Sequence, residues 1–409
     1  MPIHAGQLYW PTTMNEANPI QNHIADKTYD AVIIGGGMSG ALTALSLVNE
    51  GMTVAVVEKE EFAYGSTAAN TGLLQYSNDI MLHELIEQIG EEKAVAFYRL
   101  CYDALKDLQE AAEQLPIDPA FITRPSLYYA SDENDLMKIQ KEYKALSKHD
   151  FPCEYWDRPA LLDKTGIDKP GALWTCGDAE VNPFKLVRGI LQLIQSQGAD
   201  VHDCLEVEDV RDEEGILHIL TSSGSIKARN VIFTTGYIKP PVGKLTGDII
   251  KRSYVAVSKP VEQPAWYENA MIWETKRPYL YMRTAVDGRI IIGGLDEETD
   301  QMDISQEKIQ EKADELIAEA NKLIPGLQLE VDMAYCALFG ESKDELPFIG
   351  RHPEKPNHYY LLGFGGNGTV YSMLGSKMLA DLIQGKEPAY SDIVGLDRSV
   401  PGTEEAIIR

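Results

Sequence analysis

The chain is short of positive charge, of cysteine and of long apolar runs, and each shortage closes off a class of function. Lys and Arg number 37 against 63 Asp and Glu, a formal net charge of -26 over 409 residues. So acidic a chain repels phosphate backbones. Its densest basic spots are pairs, Lys251-Arg252 and Lys276-Arg277, and no nucleic-acid partner is expected. The five cysteines, Cys101, Cys153, Cys176, Cys204 and Cys336, form no CxxC or CxH unit. A disulfide framework, a zinc site and an iron–sulfur module are unsupported; no metal and a reducing, cytoplasmic compartment are the expectation. The opening residues have neither a basic start nor an apolar stretch, so no secretory leader is expected. The uncharged run from Ala31 to Asn49 is broken by Gly35-Gly36-Gly37 and holds Ser39, Gly40, Thr43 and Ser46. A membrane helix needs about 20 predominantly apolar residues, so this run reads as a buried strand followed by a helix. The eight histidines are scattered and mark no catalytic set.

What is present is an ordinary globular composition, 44% apolar and 24% charged, long enough for two or three domains. Tyr29-Asp30-Ala31-Val32-Ile33-Ile34 is an apolar, β-branched run that suits a strand buried on both faces. Gly35, Gly37 and Gly40 follow in GxGxxG spacing, with Met38 and Ser39 between them. The first glycine permits the turn, the second leaves room for a pyrophosphate and the third lets a helix pack close to the strand. That helix, from Ala41 to Val48, aims free N–H groups and a positive dipole end at the phosphates. A second strand, Thr53 to Val57, ends at Glu58, placed to accept from ribose hydroxyls and unsuited to a 2′-phosphate. The pattern is a dinucleotide site; alone it does not separate FAD from NAD. Elsewhere, helical periodicity runs from His83 to Gln114 and from Gln306 to Leu323. Strand patterns cover Tyr254–Val257, Leu280–Met282 and Arg289–Ile292, with Asp287-Gly288 as a hairpin turn.

Five further segments occur in an order that resembles the FAD-dependent D-amino-acid oxidase superfamily, which includes glycine oxidase, sarcosine oxidase and γ-glutamylputrescine oxidase. Gly65-Ser66-Thr67-Ala68-Ala69-Asn70-Thr71-Gly72-Leu73, just beyond Glu58-Lys59, is similar to its flavin-contacting segment. Val181-Asn182-Pro183-Phe184 opens a helix, and Thr234-Thr235-Gly236 resembles the strand end that closes over the cofactor. Tyr279 to Thr284, with Gly293-Gly294, resembles the substrate-domain hairpin. Leu346 to Gly350 and Gly363 to Gly368, running into Thr369, resemble the C-terminal flavin segment. The likeness covers about residues 29 to 385.

The resemblance implies an α/β fold: a discontinuous Rossmann-type FAD-binding domain and a second, antiparallel-sheet substrate domain. Residues 1–28 are read as an N-terminal extension, 29–119 with 179–249 and 336–409 as the FAD-binding domain, and 120–178 with 250–335 as the substrate domain. It implies FAD, non-covalently bound, held by Gly35, Gly37, Met38, Ser39, Gly40, Glu58, Lys59, Ser66, Thr67, Asn70, Thr71, Gly72 and Leu73. Val207, Thr235, Gly236, Gly365, Gly366, Asn367, Gly368 and Thr369 complete that set. The implied reaction removes a hydride from a carbon bearing an amine, giving an imine that water hydrolyses. A small amine or amino acid is the implied substrate, and oxygen, a quinone or another carrier the acceptor. A hydroxy-acid or polyol-phosphate dehydrogenase on the same fold is the alternative. Arg283 is the expected substrate-side residue, able to hold a carboxylate bidentately, with Tyr281 and Tyr254 as pocket walls. Two departures stand out. Phe339 takes the approximate place of an Arg that anchors the carboxylate in glycine oxidase-like members. Ile290-Ile291-Ile292 lacks the Lys that promotes oxygen reaction in sarcosine oxidase-like members. Cys336 lies near the sarcosine-oxidase point of covalent flavin attachment, one residue out of register.

Overall fold

The computed structural model describes residues 3–14, 24–237 and 248–398. Two sheets organise the chain. The first has eight strands, in the order Phe348–Arg351, His358–Leu362, Gly224–Phe233, Thr28–Ile34, Val54–Val57 and Asp200–His202, with the Val207–Glu213 and Ile216–Thr221 strands extending from Gly224–Phe233 as a meander. Its centre is parallel. Val32 and Ile33 are fully buried on opposite faces: helix side chains cover Ile33, and the Ile216–Thr221 and Gly224–Phe233 strands cover Val32. The strand order reverses at Thr28–Ile34, so the carboxyl end of that strand, at Gly35, opens onto the crevice where such sheets bind ligands.

Two helices cover one face close together. Helix Met38–Asn49 lies along Gly368–Ile383, and small residues let their backbones approach: Ser39 and Ser372 share a hydroxyl hydrogen bond of 2.9 Å, Ser46 and Ser376 one of 2.8 Å. Helix Pro183–Ser196 begins as its sequence specifies. Asn182 caps it by accepting the Lys185 amide at 3.0 Å, and Pro183 sits where a missing N–H costs nothing.

The second sheet has ten strands, built around Val331–Ser342, Asp248–Ser258, Ile290–Glu298 and Leu280–Thr284. It is antiparallel save for one pair: Met271–Glu274 runs parallel to Ile122–Tyr129. Helix Gln306–Leu323 covers its outer face and buries Ile309, Leu316 and Ile317. Ser305 caps that helix by accepting the Lys308 amide at 3.2 Å.

Several boundaries differ from the sequence-based expectation. The run from His83 to Gln114 is two helices, Leu82–Ile89 and Glu91–Glu113, broken at Gly90, whose φ of 87° no helix can hold. The division at residue 336 falls inside the unbroken strand Val331–Ser342, and the division at 179 inside Gly171–Glu180. Leu73–Leu74 pairs with Gly171–Glu180 and so belongs to the substrate sheet. The N-terminal segment is not a separate extension: His4–Gly6 adds a strand beside Val331–Ser342, and Tyr9 and Trp10 are buried. Residues 15–23 of that segment lie outside the described residues. Among the described residues no helix is long and apolar enough to cross a membrane, and no His/Cys/Asp/Glu group could hold a metal ion.

Candidate active site

The glycine turn closes as its spacing requires. Gly35 has φ 113°, and a Cβ at Gly40 would stand 1.8 Å from the Gly35 carbonyl oxygen, so the helix meets the strand only because Gly40 has no side chain. Thr67 faces the turn and accepts the Met38 amide at 3.0 Å through Oγ1. Glu58, at the end of the next strand, accepts the Gly36 amide at 2.7 Å and the Glu60 amide at 2.9 Å. Thr234 donates to the Ile34 and Gly35 carbonyls at 3.0 Å each, binding the strand end at Thr235 and Gly236 to the turn. Val207 begins its strand beside this end of the sheet, and Lys59 pairs with Glu206 at 2.8 Å on the surface. Ser39 spends its hydroxyl on Ser372, so only its main chain remains for a cofactor. Thr369 is buried in the first turn of its helix.

From this turn the two flavin-type loops converge. Ser66, Asn70, Thr71 and Leu73 on one side, and Gly365, Gly366 and Asn367 on the other, border one cleft of about 1050 Å³ that is open to solvent. The loops are fixed to each other and to the scaffold. Asn70 accepts the Gly72 amide at 2.6 Å, while Asn367 donates to the Gln75 carbonyl at 2.9 Å and to Asn78 at 2.7 Å. Asp79 accepts the Gly366 amide at 3.0 Å. Gly72 has φ 75°, and a Cβ there would come within 2.2 Å of the Val181 carbonyl. The far wall comes from the ten-stranded sheet: Ser253, Val255, Trp273, Tyr279, Tyr281, Asp296 and Phe339. Tyr281 fills the space over Gly293, where a Cβ would lie 2.3 Å from its ring. Burial pushes its phenol up to about 12, against the hydroxyls of Thr71 and Ser253. The cavity, the side-chain-free turn and an acid, Glu58, at the end of the second strand together fit a dinucleotide carrying a ring system at the cleft.

The structure brings Tyr281 into this cleft and leaves Arg283 and Tyr254 out of it. Arg283, 2% exposed, lies beneath the loop rather than beside the cavity. Its Nε donates to the Thr71 carbonyl at 2.7 Å and its Nη2 to the Val181 carbonyl at 2.8 Å; Nη1 lies 3.5 Å from Glu180. Burial pulls its guanidinium below the usual range, and Glu180 pulls the other way. With its donors spent on the scaffold, it is a brace for the Thr71 loop and not a carboxylate anchor. Tyr254 fails by strand parity. Ser253 and Val255 face the cleft, so Tyr254 faces helix Gln306–Leu323, where it donates to Glu297 at 2.8 Å. Cys336 shares that outward face, paired in register with Tyr254, and is buried among the same apolar side chains. It cannot reach the cleft, and covalent attachment through it is excluded by position.

Tyr279 opens the segment that resembles the substrate-domain hairpin, while Asp79, Asp296, Ser253 and Trp273 line the cleft without any signal in the sequence that sets them apart. Asp296 reads there as one of a run of surface acids, Asp296-Glu297-Glu298.

Comparison with known proteins decides the family. The family model for FAD-dependent oxidoreductases matches residues 30–382. The chain belongs to the DAO family of FAD-dependent oxidoreductases. It is 25% identical over 361 residues to a glycine oxidase of Bacillus licheniformis, covering 88% of this chain and 94% of that one. It is 22% identical over 406 residues to the γ-glutamylputrescine oxidoreductase of Escherichia coli strain K12, covering 95% and 91%. The solved structure of a glycine oxidase from Geobacillus kaustophilus superposes with a TM-score of 0.77 at 20% identity, over 91% of this chain and 99% of that one. As a member of that family the chain is an FAD-dependent oxidoreductase.

Proposed function

We propose that this enzyme oxidises the CH–NH bond of a small amine or amino acid, to an imine that water hydrolyses. The observation that carries the reading is the position of the cleft: one cavity is shared by both flavin-type loops and by the aromatic wall of the substrate sheet. FAD, when bound, supplies the two-electron acceptor for the hydride leaving the carbon. The chain's own residues then need only bind and orient. Tyr281, Tyr279, Trp273 and Phe339 form a largely apolar wall that excludes water and aligns the carbon to be oxidised. The loop backbone from Ser66 to Leu73, braced by Arg283, sets the opposite side. Lys and Arg are absent from the described residues lining the cleft. This weighs against a polyol phosphate, which calls for a basic phosphate clamp. The acceptor for the second half-reaction is oxygen or a quinone-type carrier.

The test is anaerobic mixing of the yellow holoenzyme with primary and secondary amines, amino acids, 2-hydroxy acids and polyol phosphates. Bleaching of the flavin band by nitrogen compounds is expected; bleaching by hydroxy acids or polyol phosphates alone would replace this reading.

A further inference from the structure

The wall of the cleft carries a carboxylate where a carboxylate-binding enzyme would need a cation. Asp296 stands on strand Ile290–Glu298 at an irregularity in the pairing with Asp248–Ser258. Arg252 faces Glu297 and Tyr254 faces Gly294, so Leu295 and Asp296 together oppose the single residue Ser253. Such a bulge turns a side chain out of its normal alternation. Leu295 takes φ 56° to make it, a backbone conformation that a bulky side chain adopts only when the surroundings impose it. The outcome is an acidic group in an aromatic cleft. The Asp296 carboxyl lies against the Ser253 hydroxyl, and its Oδ1 is buried with no hydrogen-bond partner among the described residues. The second acid lining the cleft differs, because Asp79 is engaged by the Gly366 amide.

We infer that Asp296 determines substrate specificity by anchoring a positively charged nitrogen, so that the cleft takes diamines and polyamines in preference to small zwitterionic amino acids. The inference rests on the CH–NH reading above and names its substrate class. Phe339 occupies the place where glycine oxidase-like relatives are expected to hold a carboxylate, and Arg283, the other candidate, is spent on the scaffold. An ammonium group would find its counter-charge at Oδ1 and a ring face at Tyr281, 5.5 Å centroid to centroid from Tyr279, whose ring already carries the Arg277 guanidinium at 4.8 Å. The groups around Asp296 leave that role to it. Lys251 is the nearby cation and is already paired with Glu341, while Asp79 and Glu341 add negative potential. Burial holds the Asp296 carboxyl up at about 6, so it carries its charge at neutral pH and gives it up below.

The test uses the holoenzyme, wild type and Asp296→Asn, under anaerobic conditions. The probes are 1,4-diaminobutane, spermidine, mono-N-acetyl-1,4-diaminobutane, glycine, sarcosine and D-alanine. Removing a charge-assisted hydrogen bond should weaken diamine binding by about tenfold to a hundredfold in Asp296→Asn, with FAD content unchanged and the limiting reduction rate moved much less. In the wild type alone, acetylating one end of the diamine should weaken binding comparably, which keeps the proposal testable if the variant fails to fold. Diamine affinity should also fall as pH drops through about 6, and the variant should lose that dependence. Reduction by glycine or D-alanine at rates that Asp296→Asn leaves unchanged, or loss of that reduction in Arg277→Ala instead, would overturn the anchor and leave the CH–NH reading standing. Reduction only by hydroxy acids or polyol phosphates would remove both, as would a panel that neither perturbs the oxidised spectrum nor bleaches it.

Discussion

The phosphate-binding turn and the substrate cleft adjoin each other but are specified by opposite means. The turn depends on atoms that are missing: Gly35 and Gly40 admit a backbone path and a helix contact that any Cβ would block. The cleft depends on side chains projected from many separate strands and loops, and on which face each strand presents. A backbone site tolerates almost no substitution at its few positions. A side-chain site can exchange its groups one at a time, which is how one fold comes to serve many substrates.

The comparison can be broken most sharply at Arg283. If it is a brace, Arg283→Leu should destabilise the protein by about 3–5 kcal/mol, because it strips the Thr71 and Val181 carbonyls of their donor and leaves the buried Glu180 to Arg124 alone, 3.1 Å away. Thermal unfolding checks this, and Arg283→Leu with Glu180→Leu should recover part of the loss. A stable variant with a raised substrate KM would return Arg283 to the cleft. Next in size, Gly40→Ala should cost about 1–3 kcal/mol through overpacking against the Gly35 carbonyl. Its FAD content, read from the ratio of flavin to protein absorbance, should fall to a small fraction of the parent's.

A pH experiment sharpens the picture from the scaffold side. Asp178 is fully buried, accepts the Tyr76 amide at 3.0 Å and the Thr175 hydroxyl at 2.8 Å, and burial holds its carboxyl up at about 6. A raised folded-state value means the folded protein keeps a proton that the unfolded chain releases. Stability from this group should therefore decline as pH rises from the ordinary carboxylate range near 4 to about 6, then level off. The decline is about 2–3 kcal/mol at most, and urea midpoints across that range should show the slope vanish in Asp178→Asn. The smallest effect is expected at Trp10, whose Nε1 donates to the Asn70 carbonyl at 2.5 Å. Trp10→Phe should cost about 1 kcal/mol and weaken FAD retention on dilution without altering the choice of substrate.

The same contrast explains what the sequence made legible. Tyr29 to Glu58 could be read through, because glycine spacing, β-branched runs and a terminal acid are local signals with one mechanical meaning each. The flavin-type loops at Ser66 to Leu73 and Gly365 to Asn367 were legible through family likeness, and both border the cleft. Arg283, Tyr254 and Asp296 were not, for a shared reason. Each sits on a strand whose register decides whether it meets the cavity, and register is a long-range property. A single bulge opposite Ser253 redirects Asp296, and no local pattern announces it. The break at Gly90 was hidden differently: apolar periodicity continues on both sides, and only the glycine's positive φ separates the two helices.

The N-terminal strand has a practical corollary for anyone cutting the gene. A fragment trimmed to the span shared with the family, residues 30–382, would look complete by homology. It would nonetheless strip His4–Gly6 from the rim beside Val331–Ser342, uncover the cavity that Tyr9 and Trp10 fill, and release the loop Trp10 holds at Asn70. Exposed strand edges seek new partners. Such a fragment should be expected to aggregate or to lose its colour, and neither failure would say anything about the chemistry of the intact enzyme.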